Sequence, residues 1–198
     1  MILTRRRPVT AGARLIGTLA LLGLASPLFA AVPEYNYLQG SWLRVSPDDA
    51  NVKEADGYQA RLSAPLEPGS FLSAAYSRYE QPASNAKVSA LSIGVGMYSR
   101  MASGADLYGT LSYETLDLKV VDKVAGYSLE LGMRWAIGSR FELDAGARYL
   151  NLDDTADSVI GFGGLMFRLS PTLALAAQYS HSDEDRRYTA GLRFFSIE

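Results

Sequence analysis

From about residue 35 to the C-terminus, apolar and polar side chains alternate with a period of two, the signature of β-strands, whose successive side chains point to opposite faces. Ten stretches carry the pattern: 35–45, 57–66, 70–79, 88–98, 105–115, 124–135, 140–150, 158–168, 173–181 and 187–196. The connections alternate in kind. LEPGS, SRMASG, AIGS and LSPT are short and carry the Gly, Pro and Ser of tight turns. SPDDANVKEAD, EQPASNAK, TLDLKVVDK, NLDDTADS and SDEDRR are longer and charged. Short turns on one rim and longer loops on the other is the layout of an outer-membrane barrel.

Two repeats run through the apolar face. The odd strands from the third onward read Leu72, Ala74, Tyr76; then Leu107, Gly109, Leu111, Tyr113; then Leu143, Ala145, Ala147, Tyr149; then Leu173, Leu175, Ala177, Tyr179. Each runs from a short turn to a Tyr near a long loop. A Tyr has an apolar ring and a polar tip, which suits the boundary between lipid and water. The even strands read LGMRW, GGLMF and AGLRF, each with an aromatic three residues after a Gly. Trp135, Phe167 and Phe194 form the expected girdle at the opposite rim, and GVGMYS, with Tyr98, is a weaker form of the motif. The other face carries Arg61, Glu114, Glu130, Arg134, Glu142, Asp144, Arg148 and Arg193 among Gly, Ser and Ala. An Arg facing hydrocarbon at the bilayer midplane costs about 2–4 kcal/mol, so these side chains are expected to line or fill a lumen. A soluble sandwich would reverse the two faces. The aromatic ends and the small-residue polar face favour apolar-out. The expected fold is all-β: an antiparallel transmembrane barrel of ten strands, or eight if a weak first or eighth strand merges with a neighbour.

The N-terminus changes this picture in one respect. Arg5, Arg6, Arg7 and Arg14 precede LIGTLALLGLASPLFA, a basic region, an apolar region and a small-residue exit near Ala30 or Ala31. The apolar stretch is short for a membrane-spanning helix, which needs about 20 residues. Residues 1–30 are therefore read as a cleaved secretory signal and 31–198 as a single barrel domain. Without the four signal arginines, 15 basic residues face 21 acidic ones, which argues against a nucleic-acid partner. The chain has no Cys and one His, so neither a disulfide framework nor a Cys or multi-His metal site is expected.

The stretches YNYLQGSWLRV and DGYQARLSAPL resemble the small outer-membrane β-barrels of xanthomonads, the Ax-type family. More broadly the pattern resembles the OmpA-barrel and OmpX class. The resemblance implies insertion by the outer-membrane assembly machinery, which reads a C-terminal strand with a Gly and aromatics. TAGLRFF matches in Gly191, Phe194 and Phe195, although SIE follows where the family pattern ends on the aromatic.

Candidate chemistry is sparse. His181, flanked by Ser180 and Ser182 and near Glu184, raises the possibility of a lipid-A-trimming barrel enzyme. Adjacent strand residues point to opposite faces, however, which works against the Ser–His contact that nucleophilic catalysis requires. The acidic pairs Asp153 with Asp154 and Asp183 with Glu184 and Asp185 lack calcium-loop spacing and read as solvated loop charge. Lys87, Lys119, Lys123, Arg186 and Arg187 are loop cations able to meet lipopolysaccharide phosphates. Glu130 and Arg134 face Glu142, Asp144 and Arg148 across a tight hairpin, where cross-strand pairing is expected. Barrels of about eight strands have interiors just filled by side chains, so a salt-bridged plug is favoured over an open channel. The expected role is non-enzymatic, in envelope structure or loop-mediated surface interaction, without cofactor or metal. The expected partners are outer-membrane lipid, lipopolysaccharide and the assembly machinery, with the chain monomeric. A narrow diffusion channel and a His181 enzyme are the alternatives.

Overall fold

The computed structural model describes residues 32–49, 53–81, 86–101, 104–117, 123–153 and 157–196. The expected signal, residues 1–30, lies outside them, as do Lys119 and Asp154. Ten strands follow in chain order: β1 (Tyr37–Pro47), β2 (Ala55–Pro65), β3 (Ser70–Gln81), β4 (Ala86–Met101), β5 (Ala105–Asp117), β6 (Val124–Ile137), β7 (Phe141–Leu152), β8 (Ser158–Arg168), β9 (Leu173–His181) and β10 (Asp185–Phe195). Each pairs antiparallel with its chain neighbours, and β1 pairs with β10, closing the barrel. The number is ten, with no merged strand.

Turn chemistry follows the short connections. Gly69, Gly104 and Gly138 have φ of +86°, +74° and +62°, a region that glycine enters without steric cost. Both ends of the described barrel, the start of β1 and the end of β10, lie on this short-turn rim. On the other rim the strands run further than the sequence pattern indicates. They leave connections of three to seven residues, where the charged stretches suggested more. The clearest case is SDEDRR: Asp185, Arg186 and Arg187 join β10 and pair with β1, and the two arginines also pair with β9. Ladder hydrogen bonds hold these charged residues in strand because their side chains need only water or a countercharge, both present at the rim.

The outer face is apolar. Along β6, Leu129, Leu131, Met133 and Trp135 are exposed, while Ser128, Gly132 and Arg134 between them are buried. The same alternation holds around the ring, so the hydrophobic surface faces outward and the packed interior is the lumen. Tyr113 and Tyr179 stand exposed in the upper girdle. Tyr76 lies tilted beside Tyr58 with ring centres 6.2 Å apart, Tyr149 beside Tyr127 at 6.4 Å and Tyr179 beside Tyr188 at 5.2 Å. At the short-turn rim Trp135 and Phe194 are exposed and Phe167 packs on Phe141 at 4.9 Å.

The glycines of the inner face admit large neighbours. Phe71 is the register partner of Gly96, Tyr108 of Gly132 and Phe162 of Gly146. A Cβ on any of the three glycines would fall within 2.2–2.6 Å of the opposing ring. Tyr98 therefore does not extend the outer girdle. Two residues after Gly96 it shares that glycine's face, and its ring stacks inside on Tyr35 at 4.2 Å.

The seam between β1 and β10 depends on another close approach. A Cβ on Gly191 would lie 2.0 Å from the Gly40 carbonyl oxygen and 2.5 Å from the Ser41 Cα. Gly40, in the same seam, has open space where its Cβ would be. Gly191→Ala is expected to destabilise the barrel by about 1–3 kcal/mol through overpacking against backbone, whereas Gly40→Ala is expected to leave it within about 0.5 kcal/mol. Urea-unfolding midpoints of the refolded variants in detergent micelles test the contrast.

Candidate functional site: the filled lumen

Inward-facing residues are dictated by period two, and all eight charged candidates, Arg61, Glu114, Glu130, Arg134, Glu142, Asp144, Arg148 and Arg193, stand on the inner face. Glu130 on β6 is the direct register partner of Arg148 on β7, and the two form an ion pair in which Arg148 Nε donates at 2.8 Å. Arg134 is registered opposite Asp144, yet its guanidinium turns toward the rim and pairs with Glu142, Nε donating at 2.8 Å. Both side chains of that pair are 5% exposed. Arg193 lies 3.8 Å from the same carboxylate and donates to Gln39 Oε1 at 2.9 Å. Asp144 accepts from the Tyr108 hydroxyl at 3.0 Å, and Glu130 accepts from it at 3.3 Å. Glu114 accepts from Ser128 at 2.6 Å and Ser92 at 2.9 Å. Arg61 donates to Gln178 Oε1 at 2.6 Å.

The periplasmic half is closed by a piece of chain that includes Tyr35 and Asn36, which the alternation pattern assigns to the first strand but which precede β1. Residues 32–36, ahead of β1, have no regular secondary structure, and Pro33 and Tyr35 are buried. Tyr35 stacks on Tyr98 and on Phe71, the latter at 4.6 Å, and lies beneath the Arg134 guanidinium at 4.6 Å. Its backbone oxygen accepts from Ser63 Oγ at 2.6 Å. Glu34 is held twice: its carbonyl accepts from Arg134 at 3.0 Å and its carboxylate pairs with Arg168 at 3.0 Å. Arg193 stands over the Tyr37 ring at 4.0 Å and Arg168 over Phe195 at 4.3 Å. Burial pushes the Tyr35 phenol well above its ordinary range, against the opposing pull of Arg134, so it stays a neutral ring at this mouth. Asp106 is fully buried nearby, and neither of its carboxylate oxygens has a hydrogen-bond partner.

Above this stopper a cavity of about 90 Å³ is bounded by Tyr35, Phe71, Tyr108, Arg61 and Arg148. A larger one of about 250 Å³ lies toward the long-loop rim, between Arg148 and Arg187 at one end and Ser182 and Glu184 at the other. Arg187 is thus a lumen residue, not a loop cation. Its place in β10 turns it inward, where it bonds to Asp185 at 2.8 Å. Lys87 pairs with Glu80 and Arg186 with Asp48, each at 2.9 Å, at the outer rim. At the same rim Asp157 accepts from Tyr149 and Asn151, and these bonds hold its carboxyl below the usual range.

His181 is exposed, whereas Ser180 lies on the inner face. The Ser182 hydroxyl is engaged with the backbone of Glu184 and Asp185 in the turn between β9 and β10. Among the described residues no group of three or more His, Cys, Asp or Glu is placed to hold a metal ion. In the C-terminal strand, Gly191 sits in the seam, Phe194 faces outward and Phe195 faces the lumen.

The family described as "Outer membrane protein beta-barrel domain" matches residues 16–165. The chain belongs to this outer-membrane β-barrel family. The solved barrels it is similar to include the KdgM porin, at 12% identity and a TM-score of 0.46, covering 81% of this chain and 99% of that one. Neisserial surface protein A is similar at 17% identity and a TM-score of 0.40, covering 81% and 96%. The N-terminal barrel of Pseudomonas aeruginosa OprF is similar at 9% identity and a TM-score of 0.40, covering 80% and 96%. A search of curated proteins finds no match. The outer membrane is where a barrel of this family resides.

Removing one partner of a buried ion pair leaves an uncompensated charge, a loss of about 3–5 kcal/mol. Arg134→Ala is expected to destabilise this outer-membrane barrel by about that amount, since it strands Glu142 and releases the Tyr35 ring. Arg134→Ala combined with Glu142→Ala is expected to cost less than Arg134→Ala alone, as read from urea-unfolding midpoints.

Proposed function

We propose that this barrel is a closed, non-enzymatic element of the outer membrane that acts in envelope structure and at the cell surface and does not conduct solutes. The observation that carries the proposal is the stopper at the periplasmic mouth. Tyr35, Tyr98, Phe71 and Tyr37 are packed there with the Arg134–Glu142 pair and Arg193. A conducting pore needs a continuous aqueous path, and a ten-stranded cylinder lies near the size at which side chains fill the interior. The short outer connections suit contact with lipopolysaccharide and small partners rather than a large adhesive surface. The non-enzymatic reading is supported by the separation of His181 from Ser180 and by the engagement of Ser182 in its turn. Kinship with the small xanthomonad Ax-type barrels belongs to the same proposal. The two stretches that carry it supply residues 35–36 of the stopper, seam strand β1 and its neighbour β2.

Single-channel recording in planar bilayers tests the reading. The refolded protein, shown folded by heat-modifiable gel mobility, is expected to give a silent bilayer. Tyr35→Ala combined with Arg134→Ala is expected to give brief or steady openings. Steady conductance of the unaltered protein would overturn the proposal in favour of a narrow diffusion channel.

A further inference from the structure

The upper half of the lumen, like the stopper with Asp106 and the Tyr35 hydroxyl, holds buried polar groups that are incompletely matched, and here they border open cavities. Arg61 carries five N–H donors. Its one side-chain partner is the neutral amide oxygen of Gln178, and among the described residues no carboxylate comes within ion-pair distance of it. Arg148 and Arg187 each have one carboxylate partner, Glu130 and Asp185. These three guanidiniums border one recess of about 60 Å³. The recess adjoins the 250 Å³ cavity and shares Gln59, Arg148 and Arg187 with it. Two buried acceptors at the recess, Gln59 Oε1 and Thr189 Oγ1, have no hydrogen-bond partner. Glu114, an acid bordering the larger cavity, is already engaged by Ser92 and Ser128.

A buried acceptor left unmatched is costly, and the part-buried Arg61 guanidinium gives up some of its hydration without gaining a countercharge. A ligand that satisfied all three groups would carry one anionic group for Arg61 and hydroxyls able to donate to Gln59 and Thr189. We propose that the upper lumen is a binding site for a small hydroxylated carboxylic acid. The carboxylate enters the recess against Arg61, and the hydroxylated chain lies in the larger cavity below the outer rim. Charge-assisted hydrogen bonds to a guanidinium are the stronger kind, and the cavity approaches the lower end of the volumes that hold small ligands, about 300 Å³. The site is reached from the rim bearing Ser182 and Glu184 and ends at the stopper, so it goes beyond the closed-barrel reading while remaining compatible with it.

Isothermal titration calorimetry on the folded full-length barrel in micelles tests this, with gluconate as probe and glucose and inorganic phosphate as comparators. Gluconate is expected to bind once per chain, more weakly as salt rises, while glucose gives no heat and phosphate binds at least tenfold more weakly. Arg61→Gln, which keeps an amide beside Gln178, is expected to weaken gluconate at least tenfold, or about 1.4 kcal/mol. Thr189→Val, near-isosteric, is expected to weaken it about threefold and serves if Arg61→Gln does not fold. Absence of gluconate binding, equal binding of glucose or phosphate, or unchanged affinity in the substituted barrel overturns the proposal. Because the readout is binding, it is independent of conductance. A conducting barrel that binds gluconate would overturn the closed reading alone, and a silent barrel that ignores gluconate would overturn this inference alone.

Discussion

The requirement that no backbone N–H or C=O face hydrocarbon unpaired governs this molecule. A sheet with a free edge fails it, so β10 must return to β1, and that return rests on one residue without a side chain. Gly191 lets the β1 backbone at Gly40 and Ser41 approach as closely as it does. Closure then determines the rest. With lipid outside, the apolar side chains Leu131, Met133, Leu111 and their neighbours face outward. Every charged side chain within the span is forced into a cylinder whose volume is fixed by strand number.

That confinement explains why the lumen is neither a uniform polar channel nor a uniform apolar core. A charge brought inside must find a partner or an aromatic face. Arg134 finds both, with Glu142 beside it and Tyr35 against it. Rings in turn need space, which comes from glycine on the neighbouring strand, as at Phe71 against Gly96 and Tyr108 against Gly132. Tyr108 joins the two kinds of packing, since its ring lies over Gly132 and its hydroxyl donates to Asp144 and Glu130. Two clusters result: Arg134, Glu142, Arg193 and Gln39 join β6, β7, β10 and β1 near one rim, and Tyr108, Asp144, Glu130 and Arg148 join β5, β6 and β7 in mid-barrel.

Alternation made the strands, the faces and the number of crossings legible in the sequence. Period two is set by local geometry and survives wherever one face meets lipid. Cross-strand partners such as Glu130 and Arg148 were legible for the same reason, because a three-residue turn fixes the hairpin register. What escaped depends on contacts distant in sequence. Residues 32–34 lie ahead of the alternation and Tyr35 and Asn36 read as the start of the first strand, so only the folded barrel shows that Tyr35 leaves the strand to meet Tyr98, Phe71 and Arg134. Arg134 turning from Asp144 to Glu142 is a rotamer choice among two nearby acids, which register alone does not decide. Arg187 was hidden by its company: a run of charges reads as loop, yet at a rim such residues extend a strand without penalty. The inward rings were obscured because Gly, Ser and Ala dominate their face. The glycines opposite them were the available signal.

The two ends of the lumen are built on different principles, and the difference bears on function. At the short-turn mouth most charges are paired and the rings of Tyr35, Tyr98, Phe71, Tyr37 and Phe195 pack on one another, so water or solute entering there would have to displace these contacts. Among the described residues Asp106 and the Tyr35 hydroxyl break the pattern, both close to Arg134. Toward the outer rim the interior widens, and Gln59, Thr189 and Arg61 keep polar capacity that the described residues do not use. A barrel selected only to be a rigid plug gains nothing by holding a guanidinium without a carboxylate beside unused acceptors, since apolar residues of similar volume would fill the space with less penalty. Polarity retained at that cost, on the side facing the medium and above a sealed floor, is the arrangement of a receptacle.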